Sequence, residues 1–195
     1  MSTDDRDDPG ADTAMFRAKA MGRGHFHFYT PEMTRDALEK IRIETLLRRA
    51  LEFGEMSVHL QPQVEACSGR LVGAEALIRW DNPELGSVPP AEFVPIAEQC
   101  GLILAIGEWV LRTACQQAKV WRDRGLLLPR IGVNVSAKQF YQQNFPLVVE
   151  RVLLETGLEA HVLEIEITES LLMENTDRAI ATMHGLRALG VQIAL

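Results

Sequence analysis

The chain has 195 residues, 47% of them hydrophobic and 24% charged, which is ordinary globular usage and excludes a collagen-like, disulfide-stapled or disordered chain. Its net charge is −7, of which residues 1–12 carry −4. The remainder therefore lacks the Lys/Arg excess of a nucleic-acid or anionic-membrane binder, although a small phosphorylated ligand stays open. No apolar run reaches the roughly 18 residues of a bilayer span, and the opening MSTDDRDDPG is acidic, unlike a signal peptide. A soluble, cytoplasmic chain is expected, with one domain or one domain plus a piece of another. Cys67, Cys100 and Cys115 show no CxxC spacing, so reduced thiols are expected in place of a disulfide framework or a thiolate zinc site.

Residues 1–10 read as an acidic lead. Asp12 to Lys19 predicts a short helix ended by Met21-Gly22-Arg23-Gly24, and His25–Tyr29 alternates as one strand. One helix and one strand cannot bury a core, so this stretch reads as the tail of another domain. From Thr34 to Leu51 the apolar residues Ile43, Leu46, Leu47 and Ala50 follow the i, i+3, i+4, i+7 spacing of an amphipathic connector helix. Strands are then expected at Met56–Val64 and Leu71–Trp80, joined by a Cys67–Arg70 turn and followed by a loop from Asp81 to Pro90. Helices are expected at Pro90–Gln99 and Leu104–Arg124.

Ile131–Val135 reads as a third strand, and Ser136-Ala137-Lys138-Gln139 has the S-x-x-Q form of a capping box opening a helix to about Thr156. A fourth strand at Val162–Thr168, a helix at Thr176–Leu189 and the start of a fifth strand at Val191–Leu195 complete the pattern. Strands alternating with helices argue an α/β fold with a parallel sheet or a (β/α) barrel.

Side chains alternate faces along a strand, so residue parity tells which groups look the same way. Glu164, Glu166 and Thr168 oppose Leu163, Ile165 and Ile167; Gly132, Asn134 and Ser136 oppose Ile131, Val133 and Val135. Glu75, Leu77 and Arg79 share a face, as do His59, Gln61 and Gln63. A parallel sheet covered by helices on both sides would be apolar on both faces. Two arrangements account for the departure: a one-sided sheet with a wet polar face, or polar faces converging on one interior. In the second, a buried Glu75, Asn134 and Glu166 require a counter-charge, and an all-oxygen set suits Mg²⁺, Mn²⁺ or Ca²⁺ rather than zinc.

Four groups of residues stand in register: Gln61-Pro62, Ala74-Glu75-Ala76-Leu77-Ile78-Arg79-Trp80, Asn134-Val135-Ser136, and Glu166-Ile167-Thr168-Glu169. With Pro83, Gly86 and Phe93–Glu98, this pattern from about Leu47 to Leu195 resembles the EAL family of cyclic di-GMP phosphodiesterases. Ala11–Lys19 through Gly22-Arg23 resembles the last helix and turn of a GGDEF domain. Phe16, Leu60 and Asn82 depart from the commoner Tyr, aromatic and His of these patterns.

The resemblance implies a TIM-type barrel with one strand reversed, hydrolysing cyclic di-GMP to pGpG with Mg²⁺ or Mn²⁺ in bacterial signalling. It implies Glu75, Asn134 and Glu166 as metal ligands, Gln61, Leu77 and Arg79 as substrate-contacting positions, and Glu169 as a supporting carboxylate behind the catalytic set. Residues 1–30 would be the GGDEF remnant, 31–50 the connector helix and 51–195 a partial EAL domain, with a homodimer through the EAL domain a further expectation. A complete barrel takes about 250 residues and eight strands, so the chain is expected to hold roughly the first half. The Asp pair, the Lys and the further carboxylates that the family uses would lie beyond Leu195. The chain alone is thus expected to be inactive and self-associating, and three readings follow: part of an active hydrolase, a non-catalytic cyclic di-GMP-binding or protein-interaction module, or a mis-delimited reading frame.

Overall fold

The computed structural model describes residues 31–126 and 128–195. The helix, turn and strand expected between Asp12 and Tyr29, on which the GGDEF resemblance rests, lie outside the described residues. The chain divides into two compact units, residues 1–46 and 47–195. Helix α1 spans Pro31–Ala50 and ends in Arg48 and Arg49, cations that favour the negative end of a helix dipole. Ile43, Leu46, Leu47 and Ala50 are buried while Leu38 and Ile41 are exposed, the stripe that the spacing predicts.

Residues 47–195 build a mixed α/β fold around one sheet. Strand β1 (Met56–Val64) pairs antiparallel with β2 (Leu71–Asn82), placing Gln61 opposite Glu75 and His59 opposite Leu77. β2 runs two residues past Trp80 and folds back on a short strand, β3 (Gly86–Val88), inside the segment expected to be a loop. The side chain of Asn82 explains the difference: its Oδ1 accepts the backbone N–H groups of Glu84 and Leu85, the asparagine turn that closes a tight hairpin. The Nδ2 of Asn82 and the indole of Trp80 both donate to Glu55, at 2.9 and 3.0 Å.

Helices α2 (Pro90–Cys100) and α3 (Ile103–Asp123) follow, then β4 (Ile131–Asn134). The capping box forms as expected, with Ser136 accepting from Gln139 N and Gln139 turning its side chain back to Ser136. The single helix expected from there to Thr156 is two, α4 (Ala137–Phe140) and α5 (Phe145–Thr156). Pro146 is the reason: it has no N–H to continue a helical ladder and is tolerated only within the first turn of a new helix. After a 3₁₀ turn at Ala160–Val162 come β5 (Leu163–Glu166), the short helix α6 (Glu169–Glu174), α7 (Thr176–Ala188) and β6 (Gln192–Ala194).

The order across the sheet is β1-β2-β4-β5-β6, with β3 on the side of β2, and the β2-β4, β4-β5 and β5-β6 pairings are parallel. One sheet face carries Ala74, Ala76, Trp80, Ile131, Val133, Leu163 and Ile165, all buried. Trp80 meets Phe93 of α2 edge-on with ring centres 5.5 Å apart. On α3, Ala114, Cys115 and Ala118 are fully buried, small side chains that let this helix approach closely. Burial pushes the Cys115 thiol up to about 12, so it is an inert core group.

Candidate functional site

The polar face of the sheet is built by register. Glu75 of β2 lies level with Gly132 of β4, and Gly132 level with Glu164 of β5. One step further along the strands, Asn134 lies level with Glu166. These pairs come from three different strands, so only the parallel pairing brings them together. Asn134 Nδ2 donates to Glu75 Oε1 at 2.7 Å.

Glu166 leans over Gly132. A Cβ built on Gly132 would meet Glu166 Oε1 at 2.0 Å, so the missing side chain is the space this carboxylate occupies. Burial, then the neighbouring carboxylates of Glu75 and Glu164, raise the Glu166 carboxyl above the ordinary glutamate range, with Arg130 pulling the other way. A cation bound beside Glu166 would offset the neighbouring carboxylates that disfavour its charge.

The donor chemistry fits one hard cation. Glu75, Glu166 and Asn134 offer carboxylate and amide oxygens, the ligand type of Mg²⁺, Mn²⁺ or Ca²⁺. Among the described residues no group of three or more His, Cys, Asp and Glu stands at metal-holding distance. What Glu75, Glu166 and Asn134 offer is two carboxylates and one amide.

Beside this cluster, a largely apolar groove of about 310 Å³ opens between the ends of β2 and β4 and the helices α2 and α3; Val94, Ile103 and Ile106 line it with Leu77, Arg79 and Asn134, while Glu75, Glu166 and Gln61 do not. Leu77 and Arg79 thus share a cavity with Asn134. Arg79 Nη1 donates to Ile78 O at 2.8 Å, which fixes the root of the guanidinium while other N–H groups stay available. Gln61 is exposed on β1 directly across from Glu75. Glu169 stands apart: it is exposed on the first turn of α6, off the strand face and outside the groove lining.

Two features escape sequence reading. At the opposite end of the polar face Arg130 pairs with Glu164 and Gln63; parity of Arg130 with Gly132 and Asn134 would have found it, had the strand been extended by one residue. The Tyr141 hydroxyl donates to Leu171 O and accepts from Asn175 N, the latter at 3.3 Å, tying the segment after β4 to the one after β5. No local pattern announces that contact, since its partners are backbone groups about 30 residues away.

Comparison with known proteins is consistent with this architecture. A family model described as the EAL domain matches residues 45–195. The cyclic di-GMP phosphodiesterase PdeR of Escherichia coli K12 is 40% identical over 185 residues, 95% of this chain and 28% of that protein. The bifunctional diguanylate cyclase/cyclic di-GMP phosphodiesterase MucR of Pseudomonas aeruginosa is also 40% identical over 95% of this chain, and 27% of its own length is covered. The chain thus spans little more than a quarter of the length of these two curated relatives. Among solved structures, the PaMucR phosphodiesterase in complex with c-di-GMP superposes with a TM-score of 0.76 at 41% identity, covering 78% of this chain and 62% of that one. The EAL enzyme Bd1971 in its cGMP-bound form gives 0.75 at 27% identity, covering 82% and 45%. With its four motifs in register on one mixed sheet and a family match across 45–195, this chain belongs to the EAL domain family.

Proposed function

We propose that the chain is part of a cyclic di-GMP phosphodiesterase, in which Glu75, Asn134 and Glu166 hold Mg²⁺ or Mn²⁺ and Gln61, Leu77 and Arg79 contact the cyclic dinucleotide, whose hydrolysis gives pGpG. The observation that carries it is the convergence of Glu75, Asn134 and Glu166 on one polar strand face, with Asn134 and Glu75 in hydrogen bond. A divalent cation held by Glu75, Asn134 and Glu166 would supply a water nucleophile and charge stabilisation for phosphodiester cleavage. Asn134 orients Glu75 by its amide donation, and Glu166 reaches the same place across Gly132. Arg79, whose planar fork suits phosphate, would bind and orient the dinucleotide beside them in the groove. Glu169 would act by ordering the loop after the next strand, β6.

In the same reading, residues 1–30 are the tail of a GGDEF domain, 31–50 a connector helix and 51–195 the first part of a TIM-type EAL barrel, in a cytoplasmic protein that pairs through its EAL domain. A second reading has its own support. Only two carboxylates and an amide meet in the described cluster, whereas two-metal hydrolysis needs carboxylates bridging ions about 3.5–4 Å apart. Residues 1–195 by themselves would then bind the dinucleotide without cleaving it.

Calorimetric titration of the purified chain with cyclic di-GMP, with and without Mn²⁺, tests both readings alongside an assay of pGpG release. The expected result is cation-dependent binding that Arg79→Ala weakens and Glu75→Ala abolishes, with no pGpG formed by these residues alone. Binding indifferent to Mn²⁺ and to Glu75 would overturn the cation site. Release of pGpG would overturn the binding-only reading.

A further inference from the structure

Three glutamates, not two, border the space above Gly132: Glu164 is buried, Glu75 and Glu166 are half-buried. Glu75 and Glu164 flank Gly132 at the same level of the ladder, and Glu166 drops into the gap between them. Adjacent strands lie about 4.8 Å apart, so Glu164 starts from a backbone position equivalent to that of Glu75. It is also the most enclosed of the three, with its side chain only 9% exposed. A buried carboxylate this close to a cation site would ordinarily be drawn into it.

Arg130 accounts for its direction. The residue sits just before β4, two positions below Gly132 on the same face. Its Nη1 pairs with Glu164 Oε2 at 3.3 Å and its Nη2 donates to Gln63 Oε1 at 3.4 Å. The stem is held too: a Cβ on Gly73 would lie 2.6 Å from Arg130 Cγ, so the glycine backbone of β2 forms one wall of its slot. Arg130 Nε is buried with no hydrogen-bond partner. An arginine that leaves a buried donor unpaired is placed by other demands than its own hydrogen bonding.

We propose that Arg130 is a positioning residue that holds Glu164 away from Glu75 and Glu166, so that the cation site presents two carboxylates instead of three. The inference rests on the reading that Glu75, Asn134 and Glu166 bind a divalent cation. Its physical content is that the Glu164 end of the pair is buried, so removing its half-exposed partner Arg130 leaves an enclosed carboxylate without a counter-charge. Gln63, as a neutral second partner, keeps the guanidinium from swinging upward to the site itself.

The test is Mn²⁺ binding to the purified chain, followed by water-proton relaxation, which reads both affinity and the waters left on the ion. R130M is expected to bind Mn²⁺ roughly tenfold tighter, the scale on which residues behind a ligand shell alter metal affinity, and with fewer coordinated waters because Glu164 joins the set. E164Q, whose amide oxygen can still accept from Arg130, is expected to leave affinity and hydration close to wild type. Weakening by E164Q as severe as that by E75Q would overturn the proposal, since Glu164 would already be a ligand. Tighter binding by R130M with unchanged hydration would overturn it as well, because the missing charge alone would be responsible. Unchanged affinity would reduce Arg130 to a structural role. Should R130M fail to fold, the E164Q comparison decides alone. If E75Q and E166Q do not weaken Mn²⁺, the cation site itself falls, whatever Arg130 does, and the proposal falls with it.

Discussion

The two faces of β2, β4 and β5 are made from alternate residues of the same short segments, yet they obey opposite rules. On one, Ala76, Val133, Ile165 and Trp80 are 3% exposed or less, and burial of this kind contributes about 25 cal/mol per Å² of apolar surface. On the other, Glu75, Asn134 and Glu166 gather like charges and an exposed amide. Such a face adds nothing to stability without a cation and raises its cost as its acids ionise. The fold is held from one side of the sheet so that the other side can afford an arrangement that would not hold it.

Substitutions on each side should separate these rules. The largest effect is expected from Trp80→Ala, which empties a fully buried site against Phe93 and removes one of the two donors, Trp80 and Asn82, to the Glu55 carboxylate. A loss of about 3–5 kcal/mol is expected for such a truncation, measured by urea denaturation. Ser136→Ala removes the capping box at the start of α4, where the chain leaves the sheet. It should cost about 1 kcal/mol in the same assay, with the far-ultraviolet spectrum essentially unchanged.

The pH dependence of stability sharpens the contrast further. Because the folded Glu166 carboxyl holds its proton more tightly than the unfolded chain does, its contribution to stability falls as pH rises from the ordinary value of 4.5 through the raised one. Above that window it is level. Comparison of wild type and Glu166→Gln across the window should show the falling component in wild type alone, and Mn²⁺ should diminish it. The smallest effect on stability is expected from Glu75→Gln, near zero or slightly favourable without cation, although it removes cation binding. A Glu75→Gln variant as damaged as Trp80→Ala would break the comparison, because the polar face would then be part of what holds the sheet.

Much of this was legible in the residues. Alternation in Leu163–Thr168 and Ile131–Ser136 assigned both faces correctly, because a period of two depends on backbone geometry and on nothing distant. The spacing of Ile43, Leu46, Leu47 and Ala50 likewise gave a helix with a buried stripe. The failures lie where a side chain acts on a backbone. Asn82 turned an expected loop into a hairpin through two N–H groups, and Pro146 divided one helix into two. Arg130 was missed for a different reason: it stands one residue outside the β4 ladder, and its meaning depends on Glu164, 34 residues later. For Glu169 the sequence motif is plain, but the structure leaves it exposed at the head of α6, off the strand face that gathers Glu75, Asn134 and Glu166.

The tie made by Tyr141 gives the end of α6 a particular mechanical character. A single hydroxyl serves both the carbonyl of Leu171, inside α6, and the amide of Asn175, just past its end. The phenol is therefore one latch with two catches: when it swings away, the C-terminal half of α6 and the residue that caps α7 lose their tie together. Loosening of the junction between α6 and α7 is then coupled to the position of one side chain. The hydrogen exchange of the Asn175 amide would record each opening.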